Sequence, residues 1–116
     1  MAEERRPRNL WVKDAYLDQL LSGHKAVEVR VGYRNILRLL PGDRLLLNGR
    51  HRAAIKRIGR YINFLELLDR EDPAAIALNL TPGELLAALR EIYPAEKESL
   101  GAVALELEVM PDEAIE

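Results

Sequence analysis

The clearest alternation of apolar and polar positions lies near the end of the chain, between Gly101 and Met110. Every second residue in this segment is apolar, at Val103, Leu105, Leu107 and Val109. Successive side chains of a β-strand point to opposite faces, so a two-residue period indicates one buried face. We therefore predict a strand over this segment.

The same two-residue period recurs after an apolar, helix-like run, from about Ala26 to Val31. Valines alternate there with Glu28 and Arg30, which share the polar face and lie close enough to pair. Lys25 has the opposite parity if the strand is regular, but parity does not apply if Lys25 lies in the preceding turn. Two interpretations stay open: the exposed, charged face of an ordinary strand, or a binding or catalytic site.

Three further apolar runs predict strands at 9–12, 44–47 and 53–61. Asn48 and Gly49, between the last two runs, are typical of a tight hairpin turn. Gly59 is the expected place for a bulge or bend in the longest strand. Trp11 is the only tryptophan of the chain, and we expect it to pack inward from the first strand.

Helical spacing and capping residues predict three helices. In the first helix, Asp14 is the expected N-cap and Gly23 the left-handed residue after the last turn. The second helix begins with a capping box at Asn63, and the third begins at Thr81 with a proline at its first position. Residues 32–40 are ambiguous and suit one or two helical turns.

The order of these elements predicts an α+β fold, because helices are grouped beside strands without a repeated strand–helix–strand unit. A short sheet leaves exposed edges unless it curls, so we predict a small mixed β-barrel of about five strands with two to three helices. A flexible arm is expected at 1–8, one domain at 9–110 and an acidic tail at 111–116. A single core is predicted from the apolar positions Val27, Val29, Leu45, Leu47, Ile55, Val103, Leu105 and Leu107.

Composition narrows the function classes. The chain has 116 residues, no cysteine and a net charge of −2. Disulfides and thiolate catalysis are therefore excluded, and any attraction for nucleic acid must come from a local cluster of charge. No apolar run approaches the ~20 residues of a membrane span, so we expect no membrane partner and a cytoplasmic location. His24 and His51 lack the spacing of metal ligands, and neither a metal nor a cofactor is predicted.

One local cluster of positive charge follows the predicted hairpin turn. Six basic or titratable residues fall within eleven positions: Arg50, His51, Arg52, Lys56, Arg57 and Arg60. The arginine fork donates two hydrogen bonds to one phosphate, so the cluster predicts a phosphate-binding edge. The alternative is a hairpin whose charges only keep it solvated.

Aliphatic hydroxyl groups, the usual oxygen nucleophiles, are scarce. They belong to Ser22, Ser99 and Thr81. A hydroxyl nucleophile needs a base beside it, but Thr81 is committed to capping a helix and neither serine has an evident base nearby in the sequence. The residues therefore argue against a serine-type hydrolase.

The order of short motifs resembles the ASCH domain family, which belongs to the PUA-like β-barrel superfamily. The matching segments are Gly23-x-Lys25-x-x-Glu28-x-Arg30, Pro41-Gly42-Asp43, Tyr61 to Leu68, and Glu91-Ile92-Tyr93-Pro94. The resemblance extends roughly from residue 10 to residue 109. It implies a PUA-like barrel that binds RNA, expected to be single-stranded, or a nucleotide in a cleft beside the Gly-x-Lys motif.

Some members of that family look like amidohydrolases acting on acetylated cytidine, and others have been proposed as nucleases. In the amidohydrolase-like members, a threonine three residues after the motif lysine and an acidic residue ahead of the last helix look catalytic. This chain has Glu28 and Leu78 at those two places. Because only Lys25 is retained, the resemblance implies a binding module more than a hydrolase.

The resulting hypothesis is an RNA- or nucleotide-binding module. Beside Gly23, Lys25 would contact a phosphate or a base carbonyl, and Arg30 would orient Glu28. The RNA backbone would follow the hairpin arginines, Arg50, Arg52, Arg57 and Arg60. One alternative is a small hydrolase of a modified nucleoside or RNA, with Glu28 as general base and Lys25 stabilising an oxyanion. Another is a protein-interaction module with an apolar patch at 33–40.

Overall fold

A computed structural model describes residues 5–111 and contains one five-stranded sheet with six helical segments. The strands are β1 (Arg8–Leu10), β2 (Val27–Val31), β3 (Arg44–Leu47), β4 (His51–Tyr61) and β5 (Ala102–Val109). The helices are α1 (Asp14–Ser22), α2 (Arg34–Leu37), α3 (Phe64–Arg70), α4 (Pro73–Ile76), α5 (Pro82–Ile92) and α6 (Ala95–Glu98). Three of these helices, α2, α4 and α6, are only four residues long, which is why the sequence predicted fewer.

The strand order is β1-β3-β4-β5-β2. Strand β1 runs parallel to β3, and the other neighbours are antiparallel. The sheet curls into a half-barrel, which confirms the predicted small, barrel-like α+β fold. The free edges of β1 and β2 are its two ends. Among the described residues, no helix is long and apolar enough to cross a membrane.

The prediction of one common core is wrong, because helices cover both faces of the sheet. The first core consists of Leu10, Val12, Leu17, Leu20, Ile36, Leu39, Leu45, Leu47, Ala53, Ile55, Val103, Leu105 and Leu107. The second core consists of Val27, Val29, Val31, Phe64, Leu67, Leu68, Ile76, Ala77, Leu85, Leu89, Ala102 and Ala104. The small side chains of Ala102 and Ala104 are fully buried, so β5 contributes to both cores.

The long strand β4 has its irregularity at Lys56 and not at Gly59. The register with β5 shifts between Ile55 and Arg57, which leaves Lys56 as the extra residue of a bulge. Glycine is required at position 59 for a steric reason. A Cβ atom there would lie 2.8 Å from both a Glu71 carboxylate oxygen and the Tyr61 hydroxyl. The missing side chain of Gly59 leaves room for that polar pair to pack against the strand.

The capping signals of the sequence are mostly confirmed. Thr81 forms the full capping box with Glu84 at the start of α5. Asn63 accepts the backbone N–H of Glu66, although the Glu66 carboxylate bonds the preceding backbone N–H and not that of Asn63. Gly23 ends α1 with φ of 87°. The N-cap prediction for Asp14 is wrong, because Asp14 is the first helical residue and Lys13 occupies the cap without a side-chain bond.

Part of the predicted N-terminal arm is held against the domain. Arg5 forms an ion pair of 3.2 Å with Asp43 and bonds the carbonyl of Arg38. Strand β1 begins at Arg8, inside the segment expected to be flexible. The remainder of that prediction, at 1–4, and most of the predicted acidic tail, at 112–116, lie outside the described residues.

The ion-paired carboxylate of Glu71 should make the stability of the fold depend on pH. The Arg57 guanidinium donates to both oxygens of Glu71, at 2.9 Å and 2.6 Å, and the Tyr61 hydroxyl donates as well. These hydrogen bonds from Arg57 hold the pKa of Glu71 below its ordinary value. The stability from this group is therefore present above the unfolded-state pKa and is lost as the pH falls through the folded-state pKa.

We expect Glu71→Gln to lower the free energy of unfolding at neutral pH by about 1 to 2 kcal/mol, because charge-assisted hydrogen bonds to a half-exposed arginine are lost. The gap between parent and variant should narrow as the pH falls below about 4.5 and protonation removes the same charge from the parent. Urea denaturation between about pH 7 and pH 3 measures this gap. The exposed Glu91 provides the control, since Glu91→Gln should change stability by less than about 0.5 kcal/mol. If the difference in free energy of unfolding between the parent and Glu71→Gln did not change with pH, the stabilising role of the Glu71 carboxylate would be contradicted.

Candidate functional site

Lys25 lies in the turn between α1 and β2 and is almost fully buried, with 4% of its surface exposed. Its ammonium donates to the carbonyl oxygens of Val27 and Ile76, both at 2.6 Å. It also lies 3.1 Å from the Glu28 carboxylate. An ammonium has three N–H donors, and these three partners occupy them. Lys25 therefore fastens α4 to β2 and holds Glu28 in place.

Glu28 joins two cations on the first-core side of β2. Arg30 donates to one Glu28 oxygen from Nε at 3.0 Å and from Nη2 at 2.6 Å, while Lys25 bonds the other oxygen. The predicted pairing of Glu28 with Arg30 is confirmed. Arg30 Nη2 also donates to the carbonyl of Trp11, just beyond β1, so this side chain links the two free edges of the curled sheet. Its Nη1 makes no hydrogen bond within residues 5–111.

The turn that carries Lys25 follows directly from the local sequence. Gly23 takes the left-handed conformation that ends α1. The backbone N–H of Lys25 then bonds the carbonyl of Gln19, and the N–H of Ala26 bonds the carbonyl of Ala75. The chain enters β2 only at Val27, so strand parity does not apply to Lys25 and its side chain can point into the protein.

A cleft of about 210 Å³ opens at the free edge of β2. Its polar side is formed by Lys25, Glu28 and Arg30, and α5 and the residues after α4 form its apolar wall. The lining side chains that complete it are Trp11, Lys13, Tyr16, Val29, Ile76, Ala77, Leu85, Ala88, Leu89, Ile92 and Tyr93. The site thus combines a buried cluster of charges with aromatic and apolar walls.

Trp11 corrects a prediction, because it is 69% exposed and does not belong to either core. Strand β1 ends at Leu10, two residues earlier than predicted. The residues on either side of Trp11, Leu10 and Val12, are both buried, so Trp11 faces outward between them. The indole instead lies at the mouth of the cleft. A large exposed aromatic at a cleft is available to stack on a planar ligand.

Burial changes the proton affinity of two groups in the cleft. It lowers the pKa of the Lys25 ammonium, and the charge of Glu28 opposes that change. Burial also raises the pKa of the Tyr93 hydroxyl. Lys25 lies 5.4 Å from the centre of the Tyr16 ring, where the ring face attracts the cation.

The hairpin arginines do not form one basic surface, and none of them lines the cleft. Arg57 is neutralised by Glu71 and Glu106 on the second-core side. Arg60 bonds the carbonyl of Leu37 in α2, which packs on the other face of the sheet. Arg50 lies in the exposed turn and Arg52 is half-buried in β4. The predicted set therefore divides, and Arg50 is its exposed member whose side chain has no ion pair or hydrogen bond within residues 5–111.

The hairpin turn nevertheless touches the segment that carries Trp11. The Asn48 side chain bonds both the N–H and the carbonyl of Val12, at 2.7 Å and 2.8 Å. Val12 lies between Trp11 and Lys13, which both line the cleft. The turn that contains Arg50 therefore packs beside the segment that carries Trp11 and Lys13.

Groups for hydrolytic catalysis are sparse in this cleft. Glu28 is the only carboxylate among its lining residues, and Leu78 does not line it. Ser22 has a base partner that the sequence did not suggest, since its hydroxyl lies 2.8 Å from His24 Nδ1, but this exposed pair is outside the cleft. No group of three or more metal-ligating side chains was found within residues 5–111.

Several lining residues were missed by the sequence, namely Tyr16, Tyr93 and the inner face of α5. Leu85, Leu89 and Ile92 follow each other at helical spacing along α5. The first two are buried, whereas Ile92 is 46% exposed at the cleft. Ile92 is the last residue of α5, and its sequence context does not show whether it lies in the core or in the wall of a binding cleft.

Comparison with known proteins finds solved structures with a similar fold. No protein-family model matches the chain, and no curated protein matches it. The crystal structure of the hypothetical protein PH0355 has a TM-score of 0.86 at 24% identity, covering 90% of this chain and 100% of that chain. The solution NMR structure of protein PF0455 from Pyrococcus furiosus has a TM-score of 0.77 at 24% identity, with coverages of 90% and 98%. At this identity the likeness shows that the chain shares their fold.

Proposed function

We propose that this protein is an RNA- or nucleotide-binding module of the ASCH type that takes one base into the cleft at the edge of β2. The observation that carries the proposal is the exposed Trp11 at the mouth of a cleft whose floor holds Glu28 and Arg30. Aromatic stacking together with fixed hydrogen-bonding groups is the usual way in which proteins bind unstacked bases.

The size of the cleft supports a single base as its occupant. Its volume of about 210 Å³ is below the 300–1,000 Å³ that is typical of drug-sized ligand sites. A planar base can enter between the apolar wall of α5 and the aromatic side chains, while sugar and phosphate stay outside. Lys13, exposed at the same rim, supplies a positive charge for the phosphate.

In this proposal the motif residues have different tasks from those that the sequence alone suggested. Lys25 has its three donors occupied, so in this proposal it positions Glu28 and does not touch the ligand. Arg30 has two N–H donors free on Nη1, and Glu28 keeps one acceptor site on the oxygen that Lys25 bonds. A base edge that carries both donors and acceptors suits this pair.

Trp11 makes the test direct, because it is the only tryptophan of the chain. Stacking of a base on the indole should quench its fluorescence, so titration with the four nucleoside 5′-monophosphates and with a short single-stranded RNA reports occupation of the cleft. Ribose 5-phosphate serves as the probe without a base. Saturable quenching by base-containing probes supports the proposal, and equal quenching by ribose 5-phosphate or none by any probe overturns it.

Binding of single-stranded RNA should weaken as salt rises, because neutralised phosphates release counterions. With roughly three to four phosphates contacted, the log–log slope of affinity against salt should be about −2 to −3. Removal of one contact by Arg50→Ala should flatten the slope by about 0.7. Fluorescence anisotropy of a labelled RNA measures both values.

The matched control for Arg50 is Arg57, whose charge is balanced by Glu71 and Glu106. Arg57→Gln should leave the slope unchanged, once circular dichroism has shown that the variant is folded. Affinity that does not depend on salt, or equal slopes for the parent and Arg50→Ala, would show that the hairpin takes no part in binding.

We expect no appreciable deacetylation of acetylated cytidine. Glu28 and Leu78 stand where the resemblance places the catalytic threonine and acid, and Leu78 does not line the cleft. Chromatography of acetylcytidine incubated with the protein measures turnover. Efficient turnover that is lost in Glu28→Gln would favour the hydrolase alternative.

A further inference from the structure

The free edge of β2 presents backbone groups that no neighbouring strand uses. In an antiparallel pair, hydrogen-bonded residue pairs alternate with pairs that are not bonded. Ala26 accepts from Leu107, and Gly32 donates to Gly101, so the even-numbered residues of this segment face β5. The N–H and carbonyl of Val29 therefore point away from β5, toward the open edge.

Val29 differs from the other outward-facing residues of the strand. The carbonyl of Val27 accepts from Lys25, and that of Val31 accepts from Tyr33. No hydrogen bond within residues 5–111 involves the N–H or the carbonyl of Val29. Val29 is also 6% exposed and lines the cleft, so a donor and an acceptor lie side by side on its polar floor.

An unbonded peptide group that is removed from water is costly, and buried backbone groups are almost always satisfied. The cleft that Val29 lines is the open space on this side of the strand. A ligand in the cleft can therefore satisfy the peptide groups of Val29 if it carries an acceptor beside a donor in one plane.

We propose that the main chain of Val29 reads the Watson–Crick edge of an unpaired base. This inference rests on the proposed function and names its ligand class: every nucleobase has a donor beside an acceptor on that edge, and the edge is free only in a single strand, a flipped base or a mononucleotide. Stacking on Trp11 sets the plane of the base, and the Nη1 group of Arg30 adds donors at the end of the same edge.

The edge itself can be tested with methylated probes. For whichever 5′-monophosphate binds best, methylation of its Watson–Crick ring nitrogen should weaken Trp11 quenching by at least about tenfold, since one hydrogen bond is lost and a methyl group intrudes. The matched controls alter the opposite side of the ring: a methyl at C5 of a pyrimidine, or carbon in place of N7 of a purine. These controls should bind within about threefold of the parent nucleotide.

The main-chain donor can be removed as well. Val29→Pro deletes the N–H, and the ladder to β5 survives because that N–H points away from it; edge strands tolerate proline in this orientation. Val29→Ala shortens the same side chain but keeps the N–H, so the pair separates packing from hydrogen bonding. We expect about tenfold weaker binding for Val29→Pro than for Val29→Ala. If Val29→Pro does not fold, an ester bond in place of the amide at residue 29 provides the same test, because it removes only the N–H donor.

The outcomes separate this inference from the proposed function. If nucleotides quench Trp11 but the Watson–Crick methylated probes bind as well as the controls, the proposed function stands and the role of Val29 is overturned. Equal binding by the amide and ester proteins overturns it too. If no base-containing probe binds, the proposed function itself fails.

Discussion

Lys25→Ala is expected to lower the free energy of unfolding by about 3 kcal/mol, because removal of one partner from a buried ion pair leaves the other uncompensated. Glu28 would keep only Arg30, and the carbonyls of Val27 and Ile76 would lose their donor. Each buried acceptor left without a partner adds its own desolvation cost. Urea denaturation followed by circular dichroism measures the change.

Two control variants separate the ammonium from its hydrocarbon stem. Lys25→Met keeps most of the apolar side chain, so it should lose nearly as much stability as Lys25→Ala if the hydrogen bonds are responsible. Lys13→Ala, at the exposed rim of the same cleft, should change stability by less than about 0.5 kcal/mol. A Lys25→Met variant as stable as the parent would contradict the role assigned to the ammonium.

Trp11→Ala is expected to reduce affinity for single-stranded RNA by about 10- to 100-fold with little loss of stability. Stacking of one base on an aromatic side chain contributes about 1–3 kcal/mol to binding. Trp11 is 69% exposed, so its truncation leaves no cavity in either core. Anisotropy with a labelled RNA measures affinity, since the variant has no tryptophan to report quenching.

Trp11→Phe is the conservative variant, and it should retain most of the affinity because a stacking surface remains. The control for a general loss of exposed apolar surface is Ile62→Ala, since Ile62 is 75% exposed and outside the cleft. If the parent and Trp11→Ala had equal affinity, Trp11 would not stack on the bound base and would not belong to the proposed site.

The strands with a regular period were predictable because their pattern depends only on neighbours in the sequence. The segments of β2 and β5 and the hairpin turn at Asn48 all lie where predicted. Alternation shows that each strand has one apolar face, but it does not show which apolar faces lie on the same side of the sheet. Val27 and Val103 were therefore assigned to one core, although register places them on opposite faces of the sheet.

The candidate site was predictable only in part, for the same reason. The pairing of Glu28 with Arg30 follows from positions two apart on a strand. The third partner of Lys25 is the carbonyl of Ile76, 51 residues away in the sequence, and no local pattern points to it. Trp11 was misplaced because a lone aromatic residue was expected to pack inward, whereas its neighbours Leu10 and Val12 are the ones that point into the core.

The distance along the chain between Lys25 and Ile76 has a consequence for the order in which the protein assembles. The partners Val27 and Glu28 are available as soon as the turn forms, but α4 must dock before the ammonium can leave water. Contacts made after the folding barrier change the unfolding rate far more than the folding rate. If α4 docks after the barrier, we expect Lys25→Ala to raise the unfolding rate more than it lowers the folding rate.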